Sequence, residues 1–455
     1  MKKTILVLIG FFSVWVGYGQ EHKDADIEKQ PLLHGSIGMR TFWMSTSHQD
    51  DFKNDFALGQ AVFLQSKTRS YKGLSMSGRY ALFGNVWSSD LIGRDPITGN
   101  PNRYEVGLFD VTDPTDKFFG KLEELQIRYE RKNFSINAGR MEINTPFVNP
   151  QDGRLSPTFV EGLHLSGKFQ KNQLNWYLIN RVSPRSTSSW YGIGDSFGLY
   201  PEGQGVLGGP SGYSGHIKSP YIHILDYKRQ LSKDLQFQFT QTYIANISGT
   251  YFSQILKDWK KGESGRLVYG LQFIVQHGAG SGGNPDPARR YKDPADLNWI
   301  GSLRIGWRNS KHLANLNFTK IGGNGRFLNP REWGRDPFFT FIPRERNEGF
   351  NNVNAFTFQY THFLPQKSLQ LYSIVGLHLL PEPWDTRNNK YAMPSYTQQN
   401  IGLRYVPGNL MKGLDLNLLL MSKQLVAKGE MRPQWIYNKV NLLHVNVIAN
   451  YQIPW

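Results

Sequence analysis

The chain has 455 residues and a formal net charge of +16 at pH 7. It contains no cysteine, which excludes a disulfide framework and a thiolate metal site. Aromatic residues make up 14% of the chain, which suits a membrane β-barrel with aromatic girdles, although composition alone does not exclude a soluble all-β sandwich.

The N-terminal end has the pattern of a secretory signal peptide. Two lysines precede the apolar run 5–16, which leads to small residues. We expect cleavage before Gln20, so that residues 1–19 form the signal peptide and residues 20–33 form a short polar periplasmic tail. The apolar run is too short to span a membrane, and no later stretch approaches the roughly eighteen apolar residues that a spanning helix requires.

Segments with a period of two recur along the rest of the chain. Apolar side chains alternate with polar ones, which predicts β-strands with different surroundings on their two faces. At roughly 22 to 26 residues per strand with its share of loop, residues 34–455 would form an all-β transmembrane antiparallel barrel of about 16 to 20 strands, with 18 as the central estimate. The clearest runs, in chain order, are 74–82, 125–129, 134–138, 163–169, 235–243, 267–275, 299–307, 356–360, 414–420 and 443–455.

The connections between these runs are of two lengths, as the two ends of a membrane barrel require. Tight links are predicted to be periplasmic turns, and they are 131–133, 309–312, 365–367 and 408–413. Long stretches rich in Gly, Pro, Asn and Asp are predicted to be outer loops, and they are 84–117, 143–160, 184–220, 278–296, 322–352 and 381–396.

The last strand ends the chain at an aromatic residue. Its apolar positions run back in steps of two from Trp455 to Leu443. This ending resembles the assembly signal of bacterial outer-membrane β-barrels. It implies the outer membrane of a Gram-negative bacterium as the location, with outer-membrane lipid and the barrel assembly machinery as partners.

Basic side chains are prominent among the predicted lumen residues. A charge that faces hydrocarbon near the bilayer midplane costs about 2–4 kcal/mol, so a wet lumen is their favourable position. These residues either pair with Glu130 and with loop carboxylates, or form a basic wall that attracts anionic or hydroxyl-rich solutes; both can hold. The basic residues that alternation directs toward the lumen are Arg40, Arg79, Arg128, Lys168, Arg181, Arg266, Arg304 and Arg404.

The segment 139–167 resembles the constriction-loop region of the OprD family of outer-membrane porins, here a Bacteroidetes-like member. Signal peptide, length and strand rhythm extend the resemblance over the whole mature chain. The matching features are a Gly-Arg strand end, a turn at Thr145-Pro146, the cluster Asp152-x-Arg154-Leu155, and Pro157-Thr158-Phe159 followed by Glu161-Gly162.

The resemblance implies an eighteen-stranded pore with a loop folded inward, a homotrimer as one assembly, and a ladder of basic residues that guides carboxylates or sugars. Arg154 matches the arginine of the loop cluster, and Asp152 and Glu161 match acidic positions near it. The sequence departs from the family in two ways. It lacks an evident run of closely spaced ladder arginines, and its loop 184–220 has no clear counterpart in the family. Substrate choice is therefore left open.

The loop 143–160 and its flanks can be interpreted without the family. A proline-rich segment that carries Glu142, Asp152, Arg154 and Glu161 cannot extend a strand, so it lies at a mouth or folds inward. Opposed charges across a constriction would orient dipolar solutes. The alternative is an external loop with surface ion pairs.

These features predict a porin for passive or facilitated uptake of small hydrophilic solutes, namely carboxylates, amino acids or peptides, or oligosaccharides. One alternative is a barrel enzyme of lipase or protease type, since Ser156, His164 and Asp152 lie close in sequence, but nothing marks the serine as activated. Another is a surface receptor without a conducting pore. We expect no cofactor, no metal site, no nucleic-acid partner and no enzymatic activity.

Overall fold

The computed structural model describes residues 31–49, 51–151, 154–260, 265–365, 368–408, 411–426 and 429–455. The predicted signal peptide and nearly all of the predicted periplasmic tail lie outside these ranges. The described chain forms one antiparallel sheet in which each long strand pairs with the next long strand along the sequence.

The strands follow the predicted period of two, because each has one face in contact with the interior and one face turned outward. They are β1 Leu33–His48, β2 Asp55–Thr68, β3 Leu74–Ser88, β4 Phe118–Arg131, β5 Phe134–Met141, β6 Phe159–Phe169, β7 Asn172–Ser183, β8 Tyr191–Gly192, β9 Ile222–Ser232, β10 Leu235–Ile244, β11 Ser248–Lys260, β12 Arg266–Gly278, β13 Leu297–Arg308, β14 His312–Gly323, β15 Val353–Leu364, β16 Leu369–Leu379, β17 Tyr396–Tyr405, β18 Leu414–Leu425 and β19 Leu442–Pro454.

The sheet closes on itself because β1 pairs with both β2 and β19. The two-residue β8 is an extra strand beside the end of β7, which also pairs with β9. The architecture is therefore a closed barrel of eighteen long strands and one short one, and the predicted fold class is confirmed. No helix among the described residues is long and apolar enough to cross a membrane.

The outer face of the barrel is apolar. Leu64, Phe273 and Ile305 are 52%, 53% and 62% exposed, respectively. A wall of exposed apolar side chains between rows of aromatic rings is the surface that lipid covers in outer-membrane barrels. Closure leaves no strand edge to be satisfied in hydrocarbon.

The two ends of the barrel differ as predicted. Strands are joined on one side by tight turns, such as 132–133 and 309–311, and on the other side mainly by long loops. The side with tight turns also carries both ends of the barrel chain, and it is the periplasmic side. One long loop was not predicted from the sequence, because it has few of the residues that mark loops. It spans residues 426–441 and includes the short helix α1, Pro433–Ile436.

The core lies inside the extracellular half of the barrel. There the inner faces of the strands carry buried apolar side chains, such as Phe42, Ile179, Ile300 and Met421, and the long loops pack on them. Toward the periplasmic end the inner faces become polar, as Arg128 and Arg404 illustrate. The inward loops and this polar half position the candidate site.

Candidate functional site

The loop between β5 and β6 is described over residues 142–151 and 154–158, and both parts turn into the barrel. Leu155 is 4% exposed, and it lies in front of Gly59 on the inner face of β2, where an added Cβ atom would be 2.8 Å from Leu155 Cδ1. The Arg154 guanidinium is buried, and its Nη1 lies 3.3 Å from Met44 Sδ on β1. The described part of the loop therefore reaches the wall formed by β1 and β2.

Ser156 fastens the returning part of this loop to β4. Its hydroxyl donates to Glu123 Oε1 at 2.5 Å, and Lys121 Nζ lies 3.4 Å from the same hydroxyl. All three side chains are buried. His164, which is near in sequence, instead contacts Asn137 on β5 at 2.9 Å. The serine and the histidine are thus held by different partners.

Acidic residues predicted for the constriction are only partly brought together. Glu142 follows β5 directly, and desolvation together with the charges of Glu124 and Glu123 raises the pKa of its carboxyl to about 7, against the opposing effect of Arg79. The Glu142 side chain is exposed to solvent. Asp152 lies outside the described residues, so its place in the constriction stays a prediction.

A second loop, residues 324–352, also fills the interior. Trp333 is fully buried, and its Nε1 donates to Ser196 Oγ at 2.8 Å. The first inward loop is tied to it, because Asn149 N donates to the Trp333 carbonyl at 3.1 Å. Gln151 Nε2 donates to the Arg331 carbonyl at 3.0 Å. The two inward loops therefore form one packed unit.

Buried ion pairs hold the second loop to the barrel wall. Glu345 lies 2.9 Å from Lys423 Nζ on β18 and 3.2 Å from Arg103 Nη1. Burial opposes ionisation of this carboxyl, but the two cations lower the pKa of Glu345 to about 2. Arg331 pairs with the buried carboxylate of Glu348 in the same loop. Each charge has a counter-charge, which is the condition for tolerating it in a low-dielectric interior.

The eight basic residues predicted for the lumen lie on the inner face, with one exception. Several are paired with carboxylates, as one of the two predicted interpretations required. Their contacts are Arg40 with Asn450 at 3.0 Å, Arg79 with Glu123 at 2.7 Å, Arg128 with Glu130 at 2.9 Å, Arg266 with Asp234 at 3.5 Å, Arg304 with Asn317 at 2.7 Å and Arg404 with Asp415 at 2.7 Å, while Lys168 is exposed near the periplasmic end of β6.

Arg181 is the exception, because the structure places it on the outer face. The register of β6 and β7 shifts between Glu161 and Gly162, and one residue of β7 is skipped there. This bulge inverts the alternation beyond Ile179, so that Val182 becomes the buried residue and Arg181 is exposed. Glu161, the register partner of Arg181, lies on the same outer face and pairs with Arg140 at 2.9 Å. Neither charge joins the inward loop.

Sequence reasoning missed several interior charges. Arg308 lies four residues after Arg304 on the same face of β13 and binds Asp258, and alternation alone could have found it. Lys423 is likewise in phase with the inner face of β18. Arg103 and Glu345 lie in long loops, where no periodicity shows which way a side chain points.

The outward apolar wall, the closed eighteen-strand sheet and the inward loops together define a class, the Gram-negative outer-membrane β-barrels. No family model matches the chain, and no curated protein matches it. Solved structures do. Pseudomonas aeruginosa OccK8 (OprE) is 15% identical, with 93% of this chain and 98% of that chain covered and a TM-score of 0.70.

Two further structures agree with this. Acinetobacter baumannii OccAB3 is 12% identical, with 93% and 99% of the two chains covered and a TM-score of 0.72. Pseudomonas aeruginosa OpdK with vanillate is also 12% identical, with 93% and 99% covered and a TM-score of 0.69. Within its class, the chain therefore has the OprD-like porin fold that the loop sequence implied. Identities this low establish the fold alone and do not test the expected Bacteroidetes-like origin.

Proposed function

We propose that this protein is an outer-membrane porin for passive or facilitated uptake of small hydrophilic solutes. The solutes would pass through a basic-lined lumen that is narrowed by the loop 143–160. The observation that carries the proposal is the burial of Arg154 and Leu155 against the inner faces of β1 and β2, because a loop on the outside of the barrel could not make these contacts.

The polar periplasmic half of the lumen supports an anionic preference. Arg40 donates to Asn450, and Arg404 pairs with Asp415 on the neighbouring strands. Exposed Lys168 adds positive charge near the periplasmic exit. Fixed charges along a pore raise the local concentration of counter-charged solutes. Because carboxylates neutralise part of this charge, we expect a moderate preference for anions.

The chemical range of solutes follows from the same wall. Guanidinium groups bind carboxylates, and the many amide side chains beside them bind hydroxyl groups. We therefore propose carboxylates, amino acids or peptides, and oligosaccharides as the solute classes. The structure of OpdK with vanillate, itself a carboxylate, supports the first of these by analogy of fold.

The proposal includes the processing and assembly of the chain. Residues 1–19 would be removed as a signal peptide, and residues 20–33 would form the periplasmic tail. The C-terminal strand β19, with Tyr451 and Ile453 turned outward, would be the signal for the barrel assembly machinery. A homotrimer is the proposed assembly. The mass of the exported protein tests the removal of residues 1–19, and light scattering in detergent tests the homotrimer.

Conductance in planar bilayers tests the proposed function. We expect steady, ohmic, anion-leaning openings, and current block by those solutes that the pore binds. Arg154→Ala should raise the conductance and weaken the anion preference, since it removes a buried cation from the inward loop. An unchanged current and reversal potential would mean that this loop does not form the constriction. Absence of conductance together with hydrolysis of phospholipid or peptide ester would instead favour the barrel enzyme.

A further inference from the structure

Two histidines lie side by side on the outer face at the periplasmic ends of β14 and β15. His312 is the first residue of β14, and its register partner on β15 is His362. Their Nδ1 atoms are 3.2 Å apart, and their ring centroids are 4.7 Å apart. The strand register places the two rings next to each other, and their Nδ1 atoms lie within hydrogen-bonding distance.

A third donor atom adjoins this pair. The hydroxyl oxygen of Tyr360, two residues before His362 on the same face, lies 2.8 Å from His312 Nδ1. The ring of Tyr360 stacks beside His312 at 6.1 Å, and Trp307 stacks at 6.4 Å. Two aromatic rings thus restrict the rotation of the His312 imidazole. His362 Nδ1 and the Tyr360 oxygen therefore both lie close to His312 Nδ1 before any ligand binds.

The spacing matches that of two imidazoles on one metal ion. A Zn–N bond is about 2.0–2.1 Å, and at a tetrahedral angle two such nitrogens are about 3.3 Å apart. The observed Nδ1 separation is 3.2 Å. Imidazole is a preferred ligand of Zn²⁺, Cu²⁺ and Ni²⁺, whereas Mg²⁺ and Ca²⁺ prefer oxygen.

We propose that His312, His362 and Tyr360 form a binding site for a divalent late transition metal, with water in the remaining coordination positions. The Irving–Williams order makes Cu²⁺ the tightest of these ions. The site lies at the periplasmic end of the strands, beside the turn 309–311, where aqueous ions can reach it.

The position of the site gives the metal a structural effect. β14 and β15 are joined by the loop 324–352 on the extracellular side, and no turn connects them at the periplasmic end. A metal held by both histidines would link them there, closing a long stretch of chain. Such a link favours the folded barrel, because an ion that binds only the native state stabilises it by mass action.

Titration of the full-length protein with CuCl₂ tests the proposal. The protein would be purified without a histidine tag, treated with chelator and held in detergent, and quenching of tryptophan fluorescence would report binding beside Trp307. We expect saturation at one ion per chain. His312→Gln and His362→Gln should each weaken binding about tenfold or more, since each removes a ligand. Tyr360→Phe should weaken it less.

His277→Gln is the matched control. His277 stacks on Tyr251 at 5.8 Å, as His312 stacks on Tyr360, but its Nδ1 lies 2.8 Å from the Gly278 carbonyl oxygen and not beside another imidazole nitrogen. Binding in this variant should equal that of the wild type. Heat-dependent migration in gels would verify that each variant is folded.

Electron paramagnetic resonance of the wild-type Cu²⁺ complex is a second readout that needs no variant. Hyperfine structure from two nitrogen ligands is expected. The proposal is overturned if the wild type shows no stoichiometric binding, if Cu²⁺ binds without two-nitrogen hyperfine structure, or if both glutamine variants bind as tightly as the wild type.

Discussion

Shortening Leu155 should release the inward loop from β2. The side chain is 4% exposed and belongs to a buried cluster that includes Phe109 and Met44. Leu→Ala at a buried site costs about 2–5 kcal/mol, because the transfer energy is lost and a cavity is left. At a factor of ten for every 1.4 kcal/mol, the ratio of docked to undocked loop would fall by roughly 30-fold to about 4,000-fold.

Single-channel recording measures this effect directly. We expect Leu155→Ala to show larger mean conductance and added open-channel noise, since the loop would leave its seat for part of the time. Leu64→Ala is the matched control, because Leu64 lies on the outward face of β2, the strand that Leu155 contacts, and is 52% exposed. Its recordings should match those of the wild type.

The contact between Leu155 and β2 can also be perturbed by a substitution on β2. Gly59→Val places side-chain atoms where Leu155 Cδ1 lies, 2.8 Å from the added Cβ. This variant should also show larger or noisier currents. If Leu155→Ala and Gly59→Val both conduct like the wild type, with equal noise, the reasoning that the docked loop limits the current is refuted.

Three further outcomes are expected. Lys168→Gln should move the reversal potential toward zero, whereas Arg181→Gln, on the outer face, should leave it unchanged; equal shifts would contradict the assignment of faces. Burial raises the pKa of Asp336 to about 6, so its protonation should strengthen loop docking, and channel noise should fall, as the pH decreases from 7 to 4. Asp336→Asn should weaken that dependence, and an unaltered pH profile would exclude this carboxyl. Glu345→Gln leaves Lys423 buried without its carboxylate, so it should destabilise the docked loop by about 3–5 kcal/mol and lower the thermal unfolding temperature; unchanged unfolding would show that the ion pair is dispensable.

The strands were predictable because a barrel wall imposes one rule on most of the chain. Each strand has lipid on one side, so apolar side chains recur at every second position, as in β10 with Leu235 and Phe237. The same rule placed Arg40, Arg128 and Arg404 on the inner face. The alternation rule fails where one extra residue enters a strand. Nothing in the sequence around Arg181 indicates the bulge that turns this side chain to the outer face.

The inward loops could be located but not folded from the sequence. The proline-rich segment around Arg154 indicated a loop at the mouth or inside, and its contact with Met44 settles which. The second loop gave no such signal. Trp333 and Glu345 become buried because of partners far along the chain, and irregular backbone has no period from which their direction follows.

Thiol accessibility tests the central claim, a wall with lipid outside and water inside. The natural chain has no cysteine, so Ser166→Cys on the inner face of β6 and Leu165→Cys on its outer face can be compared without background. With the protein in lipid vesicles, a charged, membrane-impermeant thiol reagent should modify Cys at position 166, an anionic reagent faster than a cationic one. It should leave position 165 unmodified. Modification at 165 with none at 166 would contradict the account.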